Sequence, residues 1–497
     1  MPLFKLEIPI GAVRGATEYA DGGRWRDMSL VRFYNNVMQP VGGWRKRISN
    51  QMSGMGRAIK TWRDNNGNKW IAVGSNTNLY AISGGGDFYD ITPAAFITGS
   101  ADAQGAIGYG IGAYGEYSYG TARPESAQSG VVTASTWSLD NWGEDLVGVM
   151  ADDGRLFQWP LTVNAPVAAT VIPNAPTAVA GVVVSEERIM FAYGSNGLTG
   201  DDRLIQWSDQ ENNQSWTPST TNQAGSQILQ SSGRIVGACR VVNGTLFLTD
   251  TDVHLASYVG APFVYRFDRQ ATNAGLIAQN AVIQVEGSAM WMGSGTFWTF
   301  DGSVKALPCS VAEYVYGDMN VSQQSKIVAS SNTKFSEVTW FYPSENSVEV
   351  DRYVTYSYRT GAWTTGYLAR TCSSDGGVFG APIMVSTDGY LYDHEVGLDY
   401  DGQEVFAETG PIEIGIGDNL AVVTNLIPDV SNLGDVQLEF KTQLYPNATE
   451  TTHGPYSLTQ PTSLRFTGRQ IKMKIIGGST DWRVGNNRVE VKAGGKR

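Results

Sequence analysis

Apolar and polar positions alternate in short runs along most of this chain, and the runs come in pairs. Residues 70–82, WIAVGSNTNLYAI, set the pattern. A β-rich run leads into a turn of Gly, Asn, Ser or Thr, and a second run with an aromatic follows. Period-two alternation bounded by turn formers predicts two antiparallel strands. The pair returns at 146–159, 188–207, 245–258, 289–300, 338–358 and 382–394. In the first of these repeats Asp153-Gly154 is a type I′ turn signal, and Asp388-Gly389 marks the turn of the last. Amphipathic helical periodicity is hard to find anywhere.

The starts of the seven pairs are 76, 42, 57, 44, 49 and 44 residues apart. Apart from the first gap, which one insertion inflates, this is about the 40–50 residues of a four-stranded propeller blade. A lone four-stranded sheet buries too little surface to stand alone. Radial stacking covers each sheet's apolar faces with its neighbours and keeps free edges short. The expectation is an all-β chain with a six- or seven-bladed β-propeller over residues 58–404. The alternative is two β-sandwiches in series.

The insertion at 99–130 is dominated by Gly, Tyr, Ala and Ser. Such Gly density costs too much backbone entropy for a packed element of its own. It is expected to be a long loop in which Tyr109, Tyr114, Tyr117 and Tyr119 supply contact area at a subunit interface or a channel. Beyond residue 405 the pattern becomes short strands near 412–416, 421–427, 436–445, 463–466, 471–476 and 488–491, a separate small β domain over 405–497. The arm 1–57 does not fit the blade pattern. It is expected to join the C-terminal domain in a β-sandwich-like platform formed by the two termini, because chain ends often lie close together.

Composition adds three constraints. The 497 residues allow two to four domains. The formal charge of −12 argues against a broad basic face that grips nucleic acid, and fits a surface past which nucleic acid slides. The one basic stretch contains Arg24, Arg26, Arg32, Arg45, Lys46 and Arg47. Its Arg24, Arg26 and Arg32, with Trp44, are candidates for contact with a neighbouring subunit or DNA. Trp25, Trp142 and Trp482 are further possible anchors, or local core. The three cysteines, Cys239, Cys309 and Cys372, are far apart and odd in number, so neither a disulfide framework nor a zinc site is expected. No apolar stretch is long enough to span a bilayer, and the first residues lack a signal-peptide core.

Catalytic chemistry leaves little trace. His254, His394 and His453 show no metal-ligand spacing. No nucleophile elbow or phosphate loop occurs, and the Gly-Tyr-Gly run at 108–110 is not followed by a helix, so no dinucleotide is expected. The acidic pairs Asp152-Asp153, Asp201-Asp202 and Glu186-Glu187 sit in or near turns, where adjacent residues diverge. The expectation is no enzyme, no cofactor and no metal.

Three stretches resemble a known family. They are Val31-Arg32-Phe33 with Pro40, Gly42, Gly43 and Trp44; the run WSLDNWGEDL at 137–146; and GRQIKMKIIG followed by DWRVGNNRVEV at the C-terminus. Together they resemble the tail nozzle, or tail tubular protein B, of short-tailed bacteriophages. The resemblance implies a virion structural protein made in the host cytoplasm. It implies a propeller with a β platform, assembled as a homo-hexameric ring below the portal and adaptor. Double-stranded DNA would pass through the ring without specific binding, and tail fibres or a tip would be seated on it. A head-closure or tail-hub protein is the neighbouring alternative. A propeller that binds or cleaves host glycans is the alternative from another class.

Overall fold

The structure is a computed structural model that describes residues 3–15, 17, 21–105, 131–161, 166–195, 201–414, 419–445 and 448–496. Its centre is a ring of seven four-stranded antiparallel sheets. Their innermost strands are Gly56–Arg63, Trp137–Trp142, Gly181–Val184, Ile235–Val241, Val282–Val285, Val328–Asn332 and Arg370–Ser374. Each lies against the next, and the seventh lies against the first, so the ring closes. This is a seven-bladed β-propeller. The seven predicted hairpins are the second and third strands of the seven blades.

The strand sequences follow from position in the ring. Second strands are covered on both faces by adjacent blades and read as continuous apolar runs. Trp70, Ile71, Ala72 and Val73 are all buried, as are Leu246, Phe247 and Leu248. The innermost strand Ile235–Val241 alternates instead, with Ile235, Cys239 and Val241 buried and Val236, Ala238 and Arg240 half-buried. Large rings fill the wedges between blades. Trp137, Trp291, Trp340 and Trp363 are fully buried, and their indole N–H groups donate to the backbone carbonyls of Ser75, Ala274, Ala281 and Pro308 at 2.7–3.0 Å.

The Asp-Gly turns differ from expectation. Only the glycines, Gly154 and Gly389, take positive φ (70° and 77°), whereas a type I′ turn needs both central residues there. Asp153 and Gly154 both donate their backbone N–H to the Met150 carbonyl, so the glycine closes a longer turn.

Blade seven takes its outermost strand from the other end of the chain. Trp44–Lys46 pairs antiparallel with Leu391–His394, with Trp44 opposite His394 and Lys46 opposite Tyr392. The arm 1–57 therefore serves both bodies of the molecule. Its strands Leu3–Lys5 and Trp25–Ser29 belong to the two sheets of the platform, and Val31–Tyr34 pairs with Val37–Pro40 as a separate hairpin whose Met38 bonds to Val484 of the platform. The six-stranded sheet contains Trp25–Ser29, Val405–Thr409, Gln470–Gly477, Val436–Gln443 and Thr451–Ser457, with Ile412–Glu413 also paired to Gln470–Gly477. The four-stranded sheet contains Leu3–Lys5, Arg488–Lys496, Asn419–Ile427 and Thr462–Gly468. Alternation is strict in Thr462–Gly468, where Leu464 and Phe466 point to the core and Arg465 to solvent. No helix of the described residues is long and apolar enough to cross a membrane.

Candidate functional site

The propeller axis is the place where groups from all seven blades converge, around a cavity of about 320 Å³. Two polar layers occupy it. The first lies where the innermost strands begin. Residues Gln279 and Asn280 lead into blade five, yet they bond to blades on the far side. Asn280 Nδ2 donates to the Arg57 carbonyl at 3.0 Å and the Trp137 carbonyl at 3.4 Å, in blades one and two. Gln279 Nε2 donates to the Ala180 carbonyl at 3.0 Å, and its Oε1 accepts from Thr136 Oγ1 at 2.5 Å. The Asn280 carbonyl accepts from Ala329 N–H of blade six at 2.7 Å. A segment of blade five that reaches blades one, two, three and six crosses the axis and closes it at this level.

The second layer lies three residues further along the strands, about 10 Å away. Here Asp140 of blade two is buried. Its Oδ1 accepts from Lys60 Nζ of blade one at 2.8 Å, from Arg240 Nη2 of blade four at 3.2 Å and from the Asn141 N–H at 3.0 Å. Its Oδ2 accepts from Val184 N–H of blade three at 2.9 Å. One carboxylate thus ties four blades. Burial alone would raise its pKa, but Lys60, Arg240 and these donors outweigh it and hold the carboxyl below its ordinary range. Cys239 and Cys372 also line the cavity. Burial pushes both thiols, and that of Cys309, up to about 12, which makes them poor nucleophiles. Among the described residues no group of His, Cys, Asp and Glu could hold a metal ion.

The face above the first layer carries the base of the insertion. Arg57 makes a two-pronged pair with Glu349 at 2.8 and 2.9 Å and donates to the Ala101 carbonyl at 2.6 Å. Lys326 is fully buried; it bonds Asp102 at 2.5 Å and lies 3.5 Å from Glu349. Gln323 exchanges two hydrogen bonds with the backbone of Ala103. The insertion is therefore rooted beside the axis, against an excursion of blade six. Tyr109, Tyr114, Tyr117 and Tyr119 lie outside the described residues.

The other candidates are placed as follows. Arg32 is only 3% exposed. It is clamped between Glu337 of blade six, 3.1 Å from Nε, and Glu395 beyond blade seven, and it stacks on Phe335 at 3.7 Å. Trp44 is buried and donates to Asp401 at 2.6 Å, with its ring on His394 and Tyr400. Both side chains are engaged within the chain. Arg24 and Arg26 are half-buried at the corner where Gly410 N–H meets the Arg24 carbonyl, and Arg26 lies 4.0 Å from Asp21. Trp25 and Trp482 are core, and Trp142 is half-buried beneath Arg188. Lys60, Asp140 and Arg240 were not singled out from sequence. The only trace they leave is a charge set within strand-like runs, as in WSLD.

No family model matches this chain, and no curated protein matches it. Among solved structures it is similar to a streptogramin B lyase at 9% identity, with 71% of this chain and 96% of that one covered and a TM-score of 0.41. It is similar to the WD40 domain of Neurospora crassa Pan2 at 6% identity, with 70% and 95% covered and a TM-score of 0.40. A putative gluconolactonase gives 10% identity, 78% and 97% coverage and a TM-score of 0.32. The propeller assignment stands on the closed ring of seven sheets.

Proposed function

We propose that this chain is a structural subunit of the tail nozzle of a short-tailed bacteriophage, built into a six-fold ring through whose lumen the genome leaves. The observation that carries the proposal is where the three family-like stretches fall: each is a joint of the building block. Residues 31–44 run from a platform hairpin into the strand that completes blade seven, with Arg32 stapling that hairpin to blades six and seven. Residues 137–146 carry Trp137 and Asp140, which bond to blades one, three and four. Residues 468–491 supply the platform strand Gln470–Gly477, paired on both sides, and the buried Trp482. A part whose distinctive residues serve its own joints suits a rigid shell.

In this reading the genome passes between copies. The axial cavity of a single propeller is about 320 Å³ and is crossed by Gln279 and Asn280, whereas the major groove of a duplex alone is about 12 Å wide. Adaptor, fibres or tip would dock on the outside of the ring. We assign the chain no catalytic role. Glycoside cleavage needs two carboxylates flanking an open substrate site, and Glu337 and Glu395, which share one partner, are engaged by the buried Arg32.

Electron microscopy of the intact particle tests the proposal. Density for this chain as a ring on the tail axis supports it; density off that axis overturns it. Incubation of the purified chain with host polysaccharide is the second test, and release of reducing ends would overturn the non-enzymatic reading.

A further inference from the structure

We infer that the second polar layer of the propeller axis is a binding site for a small oxyanion, such as phosphate or a carboxylate, held by Lys60 and Arg240. The two cations there carry more N–H donors than Asp140 can take. Two cations converge on one carboxylate, and both bond the same atom, Asp140 Oδ1, at 2.8 and 3.2 Å. That oxygen also accepts the Asn141 N–H, so it is saturated. Neither Lys60 nor Arg240 makes a further side-chain bond among the described residues, which leaves two N–H donors on the ammonium and several on the guanidinium. Both side chains line the cavity and stay open to it, at 25% and 35% exposure. The other carboxylate lining the cavity, Asp375, bonds Ser331 Oγ and the Gly376 N–H and forms no ion pair with either cation. Arg57, the remaining cation of the lining, is already matched by Glu349.

Lys60 and Arg240 therefore turn unused N–H donors toward a cavity of about 320 Å³ whose lining also holds Asp375, at the small end of the range for ligand pockets. Charge-assisted bonds from a guanidinium and an ammonium favour an oxyanion over a neutral ligand. The crossing of Gln279 and Asn280 closes one end, so the anion arrives from the other, and a polynucleotide is too large to follow.

Calorimetric titration of the full chain with inorganic phosphate, at constant ionic strength set with chloride, tests this. One saturable site per chain is expected. Lys60→Gln and Arg240→Gln should each weaken it about tenfold or more, the worth of a hydrogen bond to a charged group. Lys305→Gln, on the exposed rim of blade five, should leave it unchanged. Because Lys60 and Arg240 also hold Asp140, Asp140→Asn provides an independent measurement. It keeps the shape of the side chain and removes the competing carboxylate, so phosphate should raise its melting temperature more than that of the unaltered chain. Absence of saturable binding, equal affinity in the Lys60 and Arg240 variants, or no larger phosphate effect on Asp140→Asn would each overturn the site. Displacement of phosphate by a short DNA duplex would overturn the small-anion assignment.

Discussion

Asp140 shows how much one side chain can hold in this molecule. Three of its four hydrogen bonds are made to groups on other blades, and its ionised form is the one the site favours. The sign of its pH dependence follows. Its folded pKa is depressed, so its contribution is present above the unfolded value near 4 and is lost as pH falls through the folded value. Asp140→Asn should therefore cost about 3–5 kcal/mol at neutral pH, because it breaks buried charge pairs. The gap between variant and parent in denaturant midpoint should close below about pH 4. Arg32→Met should cost a similar amount, since it leaves the buried Glu337 and the half-buried Glu395 without their cation; urea unfolding measures it. Adding Glu337→Gln and Glu395→Gln to Arg32→Met should recover part of the loss. A smaller test is Gly74→Ala. A methyl there would lie 2.5 Å from the Trp137 ring, and overpacking of that kind costs about 1–3 kcal/mol, read from thermal melts. The cysteines give a chemical readout. With thiols pushed up to about 12, all three should react with a thiol reagent at pH 8 far more slowly in the native chain than in denaturant.

At the level of strands and sheets, the closing strand Trp44–Lys46 is three residues long, yet it completes the ring. Trp44→Ala should cost about 3–5 kcal/mol and should loosen blade seven selectively. Hydrogen exchange would show it as faster exchange in 370–394 than in blades two to five. The seven hairpins were legible in sequence because strands two and three of every blade alternate or run apolar over three to nine residues and meet at a polar turn. The closing strand was not, because three residues carry no period and the partner strand lies more than three hundred residues away. The platform strand Thr451–Ser457 was missed for a different reason. It is a sheet edge, mostly exposed, with Thr, Gly and Pro in place of apolar residues, the composition that keeps an edge from pairing further. The axial cluster was invisible because Lys60, Asp140 and Arg240 come from three blades, 80 and 100 residues apart. Only closure of the ring brings them together. Arg32 and Trp44 were noticed for their chemistry, and the structure places that chemistry inside the fold.

For the whole molecule, both termini enter the platform while one of them also finishes the propeller. The two bodies cannot be separated by a single cut in the chain. A fragment that starts at residue 58 cuts into the innermost strand Gly56–Arg63, losing Arg57, and lacks the outer strand of blade seven, Arg32 and Trp44. It should not give a cooperative unfolding transition on its own, which calorimetry can check. The order of synthesis gives this arrangement a further consequence. Residues 44–46 leave the ribosome more than three hundred residues before their partners at 391–394. The circle must wait, half-built, with one apolar flank of blade seven bare until a ribbon made long before swings back to cover it. Such late, long-range pairing is slow. The interval before it completes is when an unfinished copy is most exposed to other unfinished copies, so tags or fusions at the amino end should lower the yield of soluble protein more than the same additions at the carboxyl end.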